Sequence, residues 1–161
     1  MLEERLFDAT LQDRVAFSSG DEELDAYLRR FASQHSRKGV SVVRVLVDDT
    51  LPGEILGFYS LSAAQVDVQQ LAPALAKTLP RFPVPCFRMG RLAVHAAHQG
   101  HGYGRVLVGL AIERCLEARK HIAGYALLVD AKHAQAKAFY EHCGFTACKD
   151  QPMTLYLPLG N

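Results

Sequence analysis

The amino-acid sequence predicts an α/β (α+β) fold, a central mixed sheet with helices on its faces, and three observations carry that reading. A single amphipathic helical segment comes first. Two β-branched runs around a turn follow it and read as an antiparallel hairpin. The second half then alternates strand and helix twice, and such crossovers bring strands together in parallel. The 161 residues fit one domain, 1–161, with a sizeable core, and 49% apolar with 22% charged residues is an ordinary globular composition.

Each element has its own signal. From Asp21 to about Arg37, Leu24, Tyr27, Leu28, Phe31 and Ala32 fall at i, i+3, i+4, i+7 and i+8, with Asp21 as the N-cap. Gly39 follows the basic end "HSRKG", where a helix stop is expected. "VSVVRVLVDD" is a strand, "TLPGE" a turn, and "ILGFYSLSAAQV" the returning strand. "QQLAPALAKTL" predicts a short helix interrupted by Pro73. "PRFPVP", with Pro80, Pro83 and Pro85, is extended and unsuited to the centre of a sheet. "CFRMGRLAV" is a strand, followed by a helix from about Gly104 to Lys120. "GYALLVDA" is a buried strand, and "KHAQAKAFYEHC" a shorter helix stopped by Gly144. The tail "FTACKD…TLYLPL" supplies one or two last strands around the turn "KDQP".

Charge and composition exclude several classes. With 18 basic and 17 acidic residues the net charge is +1, so the chain has no strong overall field for nucleic acid and would need a local patch. Arg29, Arg30, Arg37 and Lys38 on and past the first helix, and Arg81, Arg88 and Arg91 around "PRFPVP", are the candidates for one. The N-terminus "MLEERLFDAT" lacks the apolar region of a secretory signal, and no aliphatic stretch approaches the roughly 18 residues of a membrane span. Cys86, Cys115, Cys143 and Cys148 form no C-x-x-C pair and read as reduced thiols of a cytoplasmic protein.

The chemistry concentrates in "HQGHGYGRVLVGLAIERC", residues 98–115, where glycines stand directly before a helix. A phosphate cradle, a histidine metal site and a plain connecting loop are the three readings. A helix N-terminus has orphan N–H donors and a positive dipole end, and glycines let an anion approach the backbone. Gly100, Gly102 and Gly104 alternate there, with Arg105 just after. Neither G-x-x-x-x-G-K-[ST] nor G-x-G-x-x-G fits. His95, His98 and His101 sit three apart, but at a strand end and in a turn, with no carboxylate at ligand spacing, so no metal is expected.

At this point the residues resemble a family. "QGHGYG" matches the Q/R-x-x-G-x-G/A signature of the GNAT N-acetyltransferases as Gln99, Gly102 and Gly104. "GRLAV", "VDA", "AKAFYEHCGF" and "TLYLPL" match its flanking pieces, and the resemblance runs from about Leu6 to Leu159. Together with "SGDEELDAYLRRFASQHSRKGVSVVRV" and "GFYSLSAAQV", these pieces resemble the TacT-like toxin branch, whose enzymes pair with ribbon-helix-helix antitoxins.

The resemblance implies a GNAT-type, mostly antiparallel twisted sheet with helices on both faces and with strands 4 and 5 splayed to admit the pantetheine arm of the coenzyme. It implies acetyl transfer from acetyl-CoA to the α-amino group of aminoacyl-tRNA, which blocks translation. A small-molecule amine or a protein N-terminus is the alternative acceptor, and a coenzyme-A-binding module without catalysis a third possibility. In that reading Gly100, His101, Gly102, Tyr103, Gly104 and Arg105 hold the pyrophosphate through backbone N–H groups. Gln99 belongs to the same signature, and Leu92, Ala93 and Val94 pair with the pantetheine. Tyr140 serves as the catalytic acid near the coenzyme sulfur, and Arg37, Lys38 and Arg91 contact the substrate. A homodimer is a further implication of the resemblance. Phe139 and Phe145 read as core, and Cys143, though near Tyr140, is not needed as a nucleophile.

Overall fold

The computed structural model describes residues 1–160. Seven strands form a sheet in the order β1-β2-β3-β4-β5-β7-β6, and the chain divides into two compact units. The first unit comprises Met1–Ser62 and Gly90–Ala111, the second Ala63–Met89 and the chain from Ile112 onward.

In the first unit, β1 (Leu2–Leu6) pairs antiparallel with β2 (Val42–Asp48), and β2 pairs antiparallel with the first half of β3 (Gly57–Val66), which runs on into the second unit. The sequence reading assigns no element to β1, because Glu3, Glu4 and Arg5 fill its middle. It is an edge strand, where such charges are tolerated. Glu4 is engaged there by Arg44 Nη1 at 2.9 Å and by the Tyr59 hydroxyl at 2.6 Å.

Asp21 caps α1 (Glu22–Arg30) as expected, its carboxylate accepting from the N–H groups of Glu23 and Leu24 at 3.0 and 3.3 Å. The single predicted helix divides at Phe31 (φ −118°), and α2 (Ala32–Arg37) follows. Phe31, expected on the buried stripe, is 45% exposed at the break, while Ala32 is fully buried. Gly39 (φ +71°) ends α2 as expected. Its N–H donates to Ser36 and that of Val40 to His35, which satisfies the last carbonyls of the helix. Phe17, Tyr27, Leu28, Ala32, Val43, Val45, Val47, Ile55, Phe58 and Ala93 form the core of this unit.

In the second unit, β4 (Val84–Val94) begins and pairs parallel with β5 (Ala126–Asp130), from Phe87↔Leu127 to Met89↔Val129. Beyond this paired stretch β4 runs on over Gly90–Val94. β5 pairs antiparallel with β7 (Thr154–Pro158), which also pairs with β6 (Thr146–Ala147). Two proline expectations need correction. Pro73 starts the short helix α3 (Pro73–Ala76) instead of interrupting it, because the first helical position needs no N–H. Pro85 lies inside β4, an interior strand, where its carbonyl accepts from the Tyr125 N–H at 2.8 Å. The helix after the turn is α4 (Tyr103–Ala118), which begins in the first unit and ends in the second. Among the described residues no helix is long and apolar enough to cross a membrane.

Two features have measurable consequences. A Cβ on Gly57 would stand 2.8 Å from Leu107 Cδ1 and 2.9 Å from the Ala93 carbonyl oxygen, so β3, β4 and α4 meet closely at this point. Gly57→Ala should destabilise the protein by about 1–3 kcal/mol in denaturant unfolding, as overpacking does. All four cysteines are free thiols. Burial pushes Cys86 up to about 11, Cys115 up to about 12, and Cys148 above its ordinary value. At pH 8 a thiol reagent should therefore find one rapidly reacting group in the folded chain, Cys143, and all four after denaturation.

Candidate active site

β4 ends at Val94, and the chain passes through a 3₁₀ segment, Ala96–His98, before α4 starts at Tyr103. The segment Ala16–Ser19 frames this turn. The Ser18 carbonyl accepts from the Ala96 N–H at 2.7 Å, the Ser19 carbonyl accepts from Gln99 Nε2 at 2.8 Å, and the Ala16 carbonyl lies 3.3 Å from His95 Nε2. Gln99 Nε2 also donates to the Val94 carbonyl at 3.1 Å, so its side-chain amide serves the shape of the turn. His95 Nδ1 accepts from the Ala97 N–H at 3.1 Å and caps the 3₁₀ segment.

Gly100 (φ +86°) and Gly102 (φ +79°) adopt the left-handed backbone, with nothing within 4 Å of where a Cβ would stand. Handedness, not crowding, requires glycine at these two positions. Gly104, expected to share that role, lies in the first turn of α4 without a positive φ.

The Val106 N–H donates to the Gly102 carbonyl at 3.2 Å and opens the intrahelical ladder. The N–H groups of Tyr103, Gly104 and Arg105 precede it and have no acceptor within the helix. No acidic residue occupies the first turn. An open, positively polarised helix end behind two left-handed glycines, with Arg105 exposed beside it, fits a pyrophosphate. His98 lies at the rim, 3.4 Å from Glu54 Oε1 and stacked on Tyr103 at 6.2 Å, while the His101 ring lies 5.9 Å from that of Tyr103.

Ala93 is buried, and Leu92 and Val94 are half-buried at the end of β4. Arg91, on the same strand, holds its guanidinium carbon 3.6 Å from the centre of the Tyr27 ring. Tyr27 is anchored in turn by a 2.8 Å hydrogen bond between its hydroxyl and Ser41 Oγ. Such a cation–π contact fixes the side chain and leaves its charge in place. Arg37 ends α2 and Lys38 caps it; both are exposed and without an ion-pair partner among the described residues. Arg29 and Arg88, by contrast, are paired with Glu22 and Asp130. Arg88 and Arg91 lie on β4, the strand expected over "CFRMGRLAV".

Tyr140 belongs to the second unit, on α5 (Ala134–His142). His133 caps this helix through the Ala136 N–H at 3.1 Å, and Gly144 (φ +99°) ends it. Tyr140 is 7% exposed, and its ring meets those of Phe139 and Phe145 edge-on, at 5.3 and 5.7 Å. Its hydroxyl has no hydrogen-bond partner among the described residues. Burial first, then the nearby Cys143 and Asp130, push its pKa well above the ordinary tyrosine value, so the phenol stays protonated at neutral pH. Ser18, Ser19, Asp25 and Tyr27 are the residues of this region that sequence reasoning misses as contributors. Their partners stand far along the chain, 80 residues in the case of Ser19 and Gln99, and no local pattern announces such a contact.

Comparisons with known proteins agree with the fold. Over 153 residues, 95% of this chain and 89% of the relative, the sequence is 37% identical to a tRNA-acetylating toxin of Mycobacterium tuberculosis strain H37Rv. A crystal structure of a tyrosine-to-phenylalanine mutant of KacT matches with a TM-score of 0.91 at 29% identity, covering 98% of this chain and 95% of that one. A crystal structure of AtaTR bound with AcCoA matches with a TM-score of 0.84 at 25% identity, covering 98% and 94%. The profile of the Acetyltransferase (GNAT) family matches residues 4–145. With the open helix end and its glycine turn, these findings place the chain in the GNAT acetyltransferase family.

Proposed function

We propose that this protein transfers the acetyl group of acetyl-CoA to the α-amino group of an aminoacyl-tRNA and so blocks translation. The observation that carries the acceptor is the 37% identity to a tRNA-acetylating toxin over nearly the whole chain. The open first turn of α4 supports the donor. In this reading the chain acts as one acetyltransferase domain, 1–161, in the cytoplasm, as a homodimer held in check by a ribbon-helix-helix antitoxin.

The coenzyme supplies the acetyl group as a thioester, with a thiolate as leaving group. The backbone N–H groups from Gly100 to Arg105 hold its pyrophosphate, in a turn shaped by Gln99. Leu92, Ala93 and Val94 offer backbone groups to the pantetheine arm, and an N–H near Val94 polarises the carbonyl. Tyr140 Oη carries the proton that the departing sulfur takes up. No carboxylate base is required. An α-amino group has a pKa near 8, the adjoining ester lowers it, and much of it is neutral at cytoplasmic pH. Arg37, Lys38 and the braced Arg91 meet the phosphates of the acceptor.

Labelled acetyl-CoA offered with a pool of charged tRNA tests the acceptor. Label should appear on the tRNA with wild type and fall about 100-fold or more in rate with Tyr140→Phe. Acetylation of simple amines with no label on tRNA would replace the acceptor by a small molecule. Because burial raises the Tyr140 pKa, its acid form persists as pH rises. The rate should climb as the amine loses its proton and then level off, with no decline up to about pH 9. Gly102→Val should raise the Kd for coenzyme A about tenfold or more in calorimetry while the protein stays folded, since a β-branched residue resists the +79° φ.

A further inference from the structure

We propose that Asp25 is a positioning residue for the coenzyme-binding turn, acting on it through Ser19 and Gln99. The inference rests on the reading of that turn as the coenzyme site and adds the device that holds it in shape. Asp25 lies on α1 and is 4% exposed. Its carboxylate accepts from the Ser19 N–H at 3.0 and 3.2 Å and from Ser19 Oγ at 2.7 Å, so among the described residues its side-chain hydrogen bonds all go to that one residue. A buried carboxylate is costly unless such bonds compensate it, and here they all fix a single loop residue.

Ser19 then faces the other way with its backbone. Its carbonyl accepts from Gln99 Nε2, which also binds the Val94 carbonyl. The path runs from α1 through Ser19 to both ends of the stretch between β4 and the glycine turn. The Asp21 N–H donates to Ser19 Oγ at 3.1 Å and joins the N-cap of α1 to the same anchor. Next to it, the Ser18 carbonyl takes the Ala96 N–H, so a shift of Ser19 would disturb the seam at adjoining points. Gln99 and Gly100 are exposed, and this seam does for the turn what burial in the core does elsewhere. The motif "SGDEELD" supplies the anchor, eighty residues from the turn it steadies.

The test is a double-mutant cycle on coenzyme A binding, with Asp25→Asn, Gln99→Ala and the double variant compared with wild type by calorimetry. Ser19→Ala serves as a milder variant that removes only the hydroxyl. Asp25→Asn should raise the Kd about tenfold and Ser19→Ala several-fold, and Asp25→Asn should add little once Gln99 is alanine. The side-chain amide resonance of Gln99, followed by NMR without coenzyme, should shift and lose protection from solvent in Asp25→Asn and Ser19→Ala. A merely structural Asp25 would lower the melting temperature, leave the Gln99 amide unmoved and contribute additively to binding, and that result overturns the proposal. Wild type that fails to bind coenzyme A overturns the functional reading and this inference together. Binding with additive losses overturns the inference alone.

Discussion

The carbonyl oxygens of Ala16, Ser18 and Ser19 take hydrogen-bonding groups of His95, Ala96 and Gln99 as partners, and the open end of α4 depends on this seam. A helix end that is to receive an anion must leave its amides without protein partners, so it cannot be stabilised by an ordinary side-chain cap. The glycines that give the turn its left-handed backbone also carry the largest conformational entropy. A turn with both properties is held by its neighbours or it is not held. The seam takes that role, while the N–H groups of Tyr103, Gly104 and Arg105 have no acceptor within the helix. Preorganisation of this kind lowers the ordering cost of binding.

Burial then decides which side chains are reactive. The same desolvation that keeps Cys86 and Cys115 as inert thiols keeps the Tyr140 phenol protonated, but the consequences differ. The thiols are deep in the packing and serve as core. Tyr140 has its ring fixed between Phe139 and Phe145 and its hydroxyl unclaimed among the described residues, which suits a proton donor. In the reaction proposed above, an acceptor amine that is already largely neutral complements such an acid, and no dedicated base is required.

The charges follow a similar division of labour. A net charge of +1 provides no general attraction for a polyanion, and some cations of the sequence are neutralised by near neighbours, as Arg29 is by Glu22 and Arg88 by Asp130. Arg91 is braced by an aromatic face instead, and a guanidinium held over a ring keeps both its charge and its free donors. Local placement, not overall charge, is what this protein can offer to phosphate groups.

By itself the sequence determined the features that rest on local chemistry. The Asp21 cap, the left-handed ends at Gly39 and Gly144, the hairpin, the glycine turn before α4 and the family signature were all legible, because each depends on residues a few positions apart. Only the tertiary structure decided the rest. β1 became a strand because an edge tolerates its charges. The predicted first helix broke at Phe31, and Ala32 took the buried position. Pro85 entered β4, where its carbonyl accepts from the Tyr125 N–H. The division of the fold into two compact units, the Arg91–Tyr27 contact and the Asp25–Ser19–Gln99 path are of the same kind. They are contacts between segments distant along the chain, and hydrophobic periodicity and turn chemistry carry no information about which distant partner a polar group will meet.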